Sequence, residues 1–211
     1  MKVLLVNGSP HQNGCTHRAL EEIAQVFEQE GIDAQFFWLG KEPLSGCISC
    51  RSCASKGYCV FDDKVNEFLK LAKTADGFIV GTPVHFAGAS GTLTSFLDRV
   101  FYADKNGKES NFWLKPAAVV MSARRAGTTA TYDQINKYFG IMQMPIISSK
   151  YWNMVHGSVA EDVEEDLEGL QTMRALARNM AFFLKCKESG LQAGIPFPEQ
   201  EQPIHTNFIR K

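Results

Sequence analysis

No apolar stretch in the 211 residues approaches the ~18 needed to cross a bilayer as a helix. Neither sign of charge dominates, since the net charge is -1. A basic field of the kind that gathers nucleic acid or acidic membranes is therefore not expected. The phosphate-binding fingerprints of common nucleotide sites are missing too. Counting G-x-x-x-x-G-K from Gly8 puts Asn13 where a glycine is needed, with no lysine after it, and no G-x-G-x-x-G follows the first strand. No internal repeat and no linker divides the chain. The opening run, Lys2–Asn7, is too short and too quickly interrupted to read as a signal peptide. The cytoplasm is the expected compartment, and cytoplasmic cysteines are normally reduced.

What the chain does have is a concentration of thiols. Cys47, Cys50, Cys53 and Cys59 are spaced C-x2-C-x2-C-x5-C. Three thiolates repeating every third residue can converge on one metal centre, and a fourth can close the shell. The spacing is nearer to an iron–sulfur run than to a structural zinc site, whose two C-x2-C pairs are usually separated by a longer loop. Four readings stay open: a [4Fe-4S] cluster, free thiols without metal, a zinc site, and a disulfide framework, the last weakened by the expected compartment. Lys56-Gly57 would turn the loop before Cys59. Cys186, on the last helix, reads as a packed thiol.

With 45% hydrophobic residues and 21% charged, the chain can bury a full core. Strand-like and helical patterns alternate along it. Val3–Val6 is a continuous apolar run ending in Asn7-Gly8-Ser9-Pro10, as expected of a strand covered on both faces. Leu20, Ile23, Ala24 and Phe27 follow a helical period that stops at Gly31. Ala34–Leu39 reads as a second strand. Asp62 is a candidate cap for a helix bearing Val65, Phe68, Leu69 and Ala72. Phe78–Val80 is a third strand, and Leu93, Phe96, Leu97 and Val100 mark another helix. Asp104–Ser110 reads as a surface insertion. Ala117–Met121 is a fourth strand, Tyr132–Ile141 a helix, and Ile146–Ser148 the start of a fifth strand. One long helix is expected from about Glu161 to Lys187. The tail carries Pro196, Pro198 and Pro203, too many prolines for a helix. These segments predict one domain over residues 1–189, with the cysteine loop inserted after the second strand, and an extended tail over 190–211.

Five strands alternating with helices predict an α/β fold with a parallel sheet wrapped on both faces. Such sheets bind ligands beyond the carboxyl ends of their strands. Three loops at those ends, 8–16, 82–91 and 122–129, are polar or glycine-rich. The first joins a strand to a helix N-terminus, where backbone N–H groups and the helix dipole favour an anion such as phosphate. Ser9, Asn13 and Thr16 can add side-chain donors. No basic residue is required there.

In these segments the chain resembles the flavodoxin-like NADPH-dependent FMN reductase family, and in particular its iron–sulfur flavoprotein branch. The resemblance rests on Gly8–Thr16, on the cysteine loop with Cys59-Val-Phe-Asp-Asp63, on Gly81–Gly91, and on Ser122–Gly127. It implies a five-stranded parallel sheet in the order 2-1-3-4-5. It implies FMN held at its phosphate by Ser9, His11, Asn13, Gly14, Cys15 and Thr16. It implies ring contacts from Pro83, Val84, His85, Phe86 and Gly88, and from Arg124, Arg125, Gly127 and Thr128. Arg124 or Arg125 would place positive charge near the pyrimidine side of the flavin, or else form surface ion pairs. Cys47, Cys50, Cys53 and Cys59 would hold a [4Fe-4S] cluster if one is present. Two positions depart from the usual pattern: His85 stands where relatives often carry an aromatic hydroxyl, and Cys15 where a small polar residue is common. Trp152, Asn153 and His156 are candidates to close over the flavin, against interior packing for Trp152. The implied activity is NAD(P)H-dependent transfer of electrons through FMN to a small acceptor. An electron carrier serving a protein partner and a thiol redox sensor are the alternatives. A homodimer or homotetramer is expected, with no nucleic-acid or membrane partner.

Overall fold

In the computed structural model, residues 1–107, 110–202, 204, 206 and 208 are described. Five strands run parallel: β1 (Lys2–Asn7), β2 (Asp33–Trp38), β3 (Gly77–His85), β5 (Ala117–Ala123) and β6 (Met154–His156). They lie in the spatial order β2-β1-β3-β5-β6. A sixth strand, β4 (Gly88–Ala89), folds back antiparallel on the end of β3. Leaving β4 aside, this is the expected 2-1-3-4-5 arrangement, and the numbering differs only because that two-residue hairpin counts as a strand.

The sheet is buried on both faces, and alternation along each strand sorts side chains between them. From β1, Leu4 and Val6 join one core, with Phe78 and Val80 of β3 and Val119 and Met121 of β5. Helices α3 (Lys64–Ala72), α4 (Gly91–Asn106) and α5 (Thr128–Ile141) close that side. Val3, Leu5, Ile79, Ala118 and Val120 face the other core, covered by α1 (Cys15–Gln29) and α7 (Leu167–Gln192). The β1 residues Val3–Val6 have no exposed surface. Burying each such side chain contributes about 1.5–3 kcal/mol.

Several local expectations need correction. Residues 146–148 do not form the fifth strand. Ile146 makes a single bridge to Ala117, and the strand forms at Met154–His156, where Asn153 anchors the chain to β5 through Nδ2 to the Val119 carbonyl, 3.0 Å. The helix after the cysteine loop is capped by Asp63, not Asp62; the Asp63 carboxylate accepts from the Val65 N–H. The long last helix is two helices, α6 (Ala160–Glu165) and α7, broken at Asp166. That residue caps α7 and also accepts from the His156 N–H, tying β6 to the helix pair. Asp104 is not in a surface insertion. It lies buried within α4 and accepts from Asn111, while residues 108 and 109 fall outside the described set. Cys186 is exposed rather than packed.

Candidate functional site

The loop after β1 is built by its own side chains. Asn7, 1% exposed, accepts from the Ser9 N–H and donates to the Gln12 carbonyl, both at 3.0 Å. Ser9 Oγ accepts from the His11 N–H, and the Ser9 carbonyl accepts from Trp38 Nε1 at 2.8 Å. Beneath, Gly8 donates to the Gly81 carbonyl at 2.9 Å and accepts from Ser90 Oγ at 2.8 Å. A Cβ on Gly8 would stand 2.9 Å from the Gly81 oxygen, so glycine is required where β1 meets β3. The loop is therefore fixed to β3 and to the start of α4.

It delivers the N-terminus of α1 with Gly14 as N-cap and no side chain capping it. The first N–H groups of a helix have no intrahelical partner. Left uncapped, they and the helix dipole form a ready anion site. Burial pushes the Cys15 thiol up, with Asp162 and Glu161 adding to the effect, so Cys15 brings no negative charge to this turn at neutral pH. Thr16 is buried with its hydroxyl 2.8 Å from Ser122 Oγ, which locks α1 to the end of β5.

Above the loop lies a cleft of about 820 Å³, within the range of cofactor pockets. Ser9, His11, Asn13, Gly14, Cys15, Thr16, Pro83, Val84, His85 and Arg124 all line it. The remaining candidates do not. Phe86 projects into solvent at the β3–β4 turn with φ of +50°, beside Ala87 at +59° and Gly88. Gly127 abuts the far side of that turn; its φ is +98°, and a Cβ would lie 2.6 Å from Ala87 Cα. Thr128, the first residue of α5, is buried with its hydroxyl on Met154 Sδ. Arg125 is exposed outside the cleft wall. Asn153 is fully buried, and Trp152 is half-exposed against Tyr151 rather than packed inside. The cleft also recruits residues the sequence reading did not single out: Gln12, Trp38, Lys41, Ser122, Ala123 and the 157–161 turn.

The cysteine loop packs on α4. Cys47, Cys50, Cys53 and Cys59 ring one recess together with Arg99, Tyr102 and Phe61. All four are free thiols. Burial pushes the Cys53 thiol up, whereas hydrogen bonding from Ser52 pulls the exposed Cys50 thiol down. Ser49 and Arg51, between the first three cysteines, have φ of +54° and +59°, unusual for residues with a Cβ. A short helix, α2 (Ser52–Lys56), ends at Gly57 in the left-handed region, the turn expected before Cys59. Among the described residues no three His, Cys, Asp or Glu side chains converge on the position of a single metal ion. The recess holds about 20 Å³ of water-sized space.

A doubly wound parallel sheet with an uncapped helix N-terminus at its first loop, opening on a cleft at the strand ends, defines a flavodoxin-like protein. Solved structures agree on the fold. The crystal structure of RosB with a bound flavin-phosphate intermediate superposes with a TM-score of 0.72 at 14% identity, covering 99% of this chain and 92% of that one. An archaeal flavodoxin superposes at 0.56 and 18%, covering 88% and 99%. In sequence, an iron-sulfur flavoprotein of Methanocaldococcus jannaschii is 33% identical over 88% of this chain and 98% of its own length. A second from the same organism is 28% identical over 89% and 98%. Residues 1–158 match the model of the NADPH-dependent FMN reductase family, and the chain belongs to that family. It is accordingly an oxidoreductase with an FMN site.

Proposed function

We propose that the chain passes electrons from NAD(P)H through bound FMN to a small acceptor such as a quinone, an azo or nitro compound, or free flavin. The observation that carries this is the uncapped start of α1 at the floor of a cleft of about 820 Å³. In this reading the turn from Ser9 to Thr16 holds the phosphate. Asn13, Cys15 and Thr16 present backbone N–H groups, and Lys41 adds positive charge nearby. Pro83, Val84 and His85 form one wall for the ring, and Arg124 brings positive charge to its polar edge. FMN, when bound, supplies the redox chemistry itself. The chain's part is to anchor the phosphate, orient the ring and keep one face open to donor and acceptor. The cytoplasm and a homo-oligomer suit this reading, with exposed Phe86, Tyr151 and Trp152 as the surface a second copy would cover.

The cysteine ring supports a second component, a [4Fe-4S] cluster held by Cys47, Cys50, Cys53 and Cys59. Four thiols are the usual donor set of such a cluster, and here all four line one recess. α4, capped by Ser90 beside the phosphate loop, begins at Gly91 and meets the recess at Arg99, about 12 Å further along the helix. One experiment tests both parts. Protein purified without oxygen is assayed for FMN, iron and sulfide, then for NADPH oxidation with a quinone. The expected result is stoichiometric FMN, about four irons per chain, and turnover. Absence of flavin absorbance after incubation with excess FMN overturns the first reading. Flavin with no iron overturns the second alone.

A further inference from the structure

Arg99 is 2% exposed, and every N–H of its guanidinium has a partner. Nη1 and Nη2 form a fork on the Asp63 carboxylate at 2.8 and 2.9 Å. Nε and Nη2 both point at Cys59 Sγ, each at 3.3 Å. Nη1 also reaches the Ser45 carbonyl at 3.3 Å, and Phe61 covers the guanidinium face at 4.8 Å. The carboxylate thus occupies one edge of the planar group and the sulfur the adjacent edge. Asp63 is itself fixed as the cap of α3. The backbone of Cys59 is gripped from the other side, because Asn66 accepts from its N–H and donates to its carbonyl.

The other three thiols are held differently. Cys53 reaches only the Tyr102 carbonyl at 4.0 Å, and Cys47 and Cys50 are exposed. One sulfur of the ring is therefore fixed between two helices, whereas Cys47 and Cys50 lie exposed on the loop. Burying a cation costs several kcal/mol even when it is paired. The pairing with Asp63 explains how Arg99 is tolerated, but not why two donors face the sulfur.

Building on the cluster reading above, we propose that Arg99 is a positioning residue that fixes Cys59 Sγ as the rigid donor of the ring and raises the reduction potential of the cluster through two N–H···S bonds. Hydrogen bonds to ligand sulfur withdraw negative charge and favour the state that carries one more electron. Asp63 balances the charge of the guanidinium, so the direction of its N–H groups carries the effect rather than bare charge. The step is the gain of one electron, supplied in the test by dithionite; no covalent bond is made or broken.

The test is a potentiometric titration of the full chain carrying FMN, with iron content measured alongside and the EPR spectrum of the reduced cluster recorded. Three forms are compared: the unaltered protein, Arg99→Lys, and the charge-balanced pair Arg99→Gln with Asp63→Asn, which leaves no unpaired carboxylate. At the unaltered protein's midpoint, the double variant should show about a tenfold lower ratio of reduced to oxidised cluster, equal to a shift of 59 mV for one electron. Arg99→Lys should fall between the two, and the FMN midpoint should not move. Full iron content with an unchanged cluster potential and spectrum in both variants overturns the proposal while leaving the cluster reading intact. Loss of iron from both variants, with FMN retained, overturns it as well and reduces Arg99 to a structural clamp. Absence of iron from the unaltered protein removes the cluster reading and this inference with it.

Discussion

Asn66 makes three hydrogen bonds with one side chain: from the Cys59 N–H at 2.9 Å, and to the Cys59 and Phe61 carbonyls at 3.0 and 2.9 Å. It is buried on α3, so Asn66→Ala strands backbone groups that water cannot readily reach. We expect a loss of about 2–3 kcal/mol, seen as a fall in Tm of about 4–12 °C for a chain of this size. The effect should concentrate in the cysteine loop, with faster alkylation of Cys59 under native conditions. An unchanged melting curve would show that the loop is not held this way. The roles of Asn66 and Arg99 were hidden in the sequence for related reasons. A lone polar residue on an amphipathic helix reads as solvent-facing, yet Arg99 falls three residues after Phe96, on the edge of the apolar stripe. Asp62 and Asp63 are equally good caps by composition. What separates them is that Asp63 is also fixed by the fork of Arg99.

At the level of elements, α1 is locked to the helices opposite it by charge. Glu22, 7% exposed, accepts from Arg18 on its own helix and from Arg174 on α7, and Arg18 reaches on to Glu164 on α6. Burial alone would raise the Glu22 carboxyl, but hydrogen bonds from Arg174 and Arg18 outweigh it and hold it below its usual value. A depressed carboxylate contributes stability above its unfolded pKa of about 4.3, and this is lost as pH falls through the lower folded value. Glu22→Gln should therefore destabilise the protein at pH 7 by about 1–3 kcal/mol, since Arg174 loses its charged partner and Arg18 one of its two. It should also flatten the loss of stability below about pH 4.3. Urea titrations at pH 7 and pH 4 measure both; equal losses at the two pH values would contradict the assignment. The elements themselves were legible where apolar runs or periods were long, as in β1, α1 and the first half of β5. The fifth strand was misplaced because Ile146-Ile147-Ser148 has the stronger apolar signal, while Met154–His156 is a strand only because Asn153 and Asp166 tie it to β5 and α7. The break at Asp166 was hidden because apolar residues continue at helical spacing on both sides of it.

Across the molecule, the cleft gathers residues from the first loop, the end of β3, the end of β5 and the start of α6. The glycine and serine chemistry of the first loop is local and could be read directly. The 157–161 wall lies more than a hundred residues away and could not. If the phosphate turn carries much of the affinity, FMN should stabilise the protein well beyond riboflavin, which has the same ring without the phosphate. At a hundredfold excess over its Kd, FMN should add about 2.7 kcal/mol, raising Tm by roughly 5–11 °C; riboflavin at the same concentration should give less than half. Equal shifts would assign the binding energy to the ring wall and remove the phosphate role from α1. The sheet order has a consequence for how the protein is made. β1 leaves the ribosome first, yet it sits between β2 and β3, and β3 begins at Gly77. At ordinary translation speeds, roughly 4–14 s separate the end of β1 from the arrival of that partner. Throughout that interval Val3–Val6 has one open strand edge, and α1 is the first helix synthesised that can cover it. A nascent chain stalled before residue 77 should therefore be the form most dependent on chaperones.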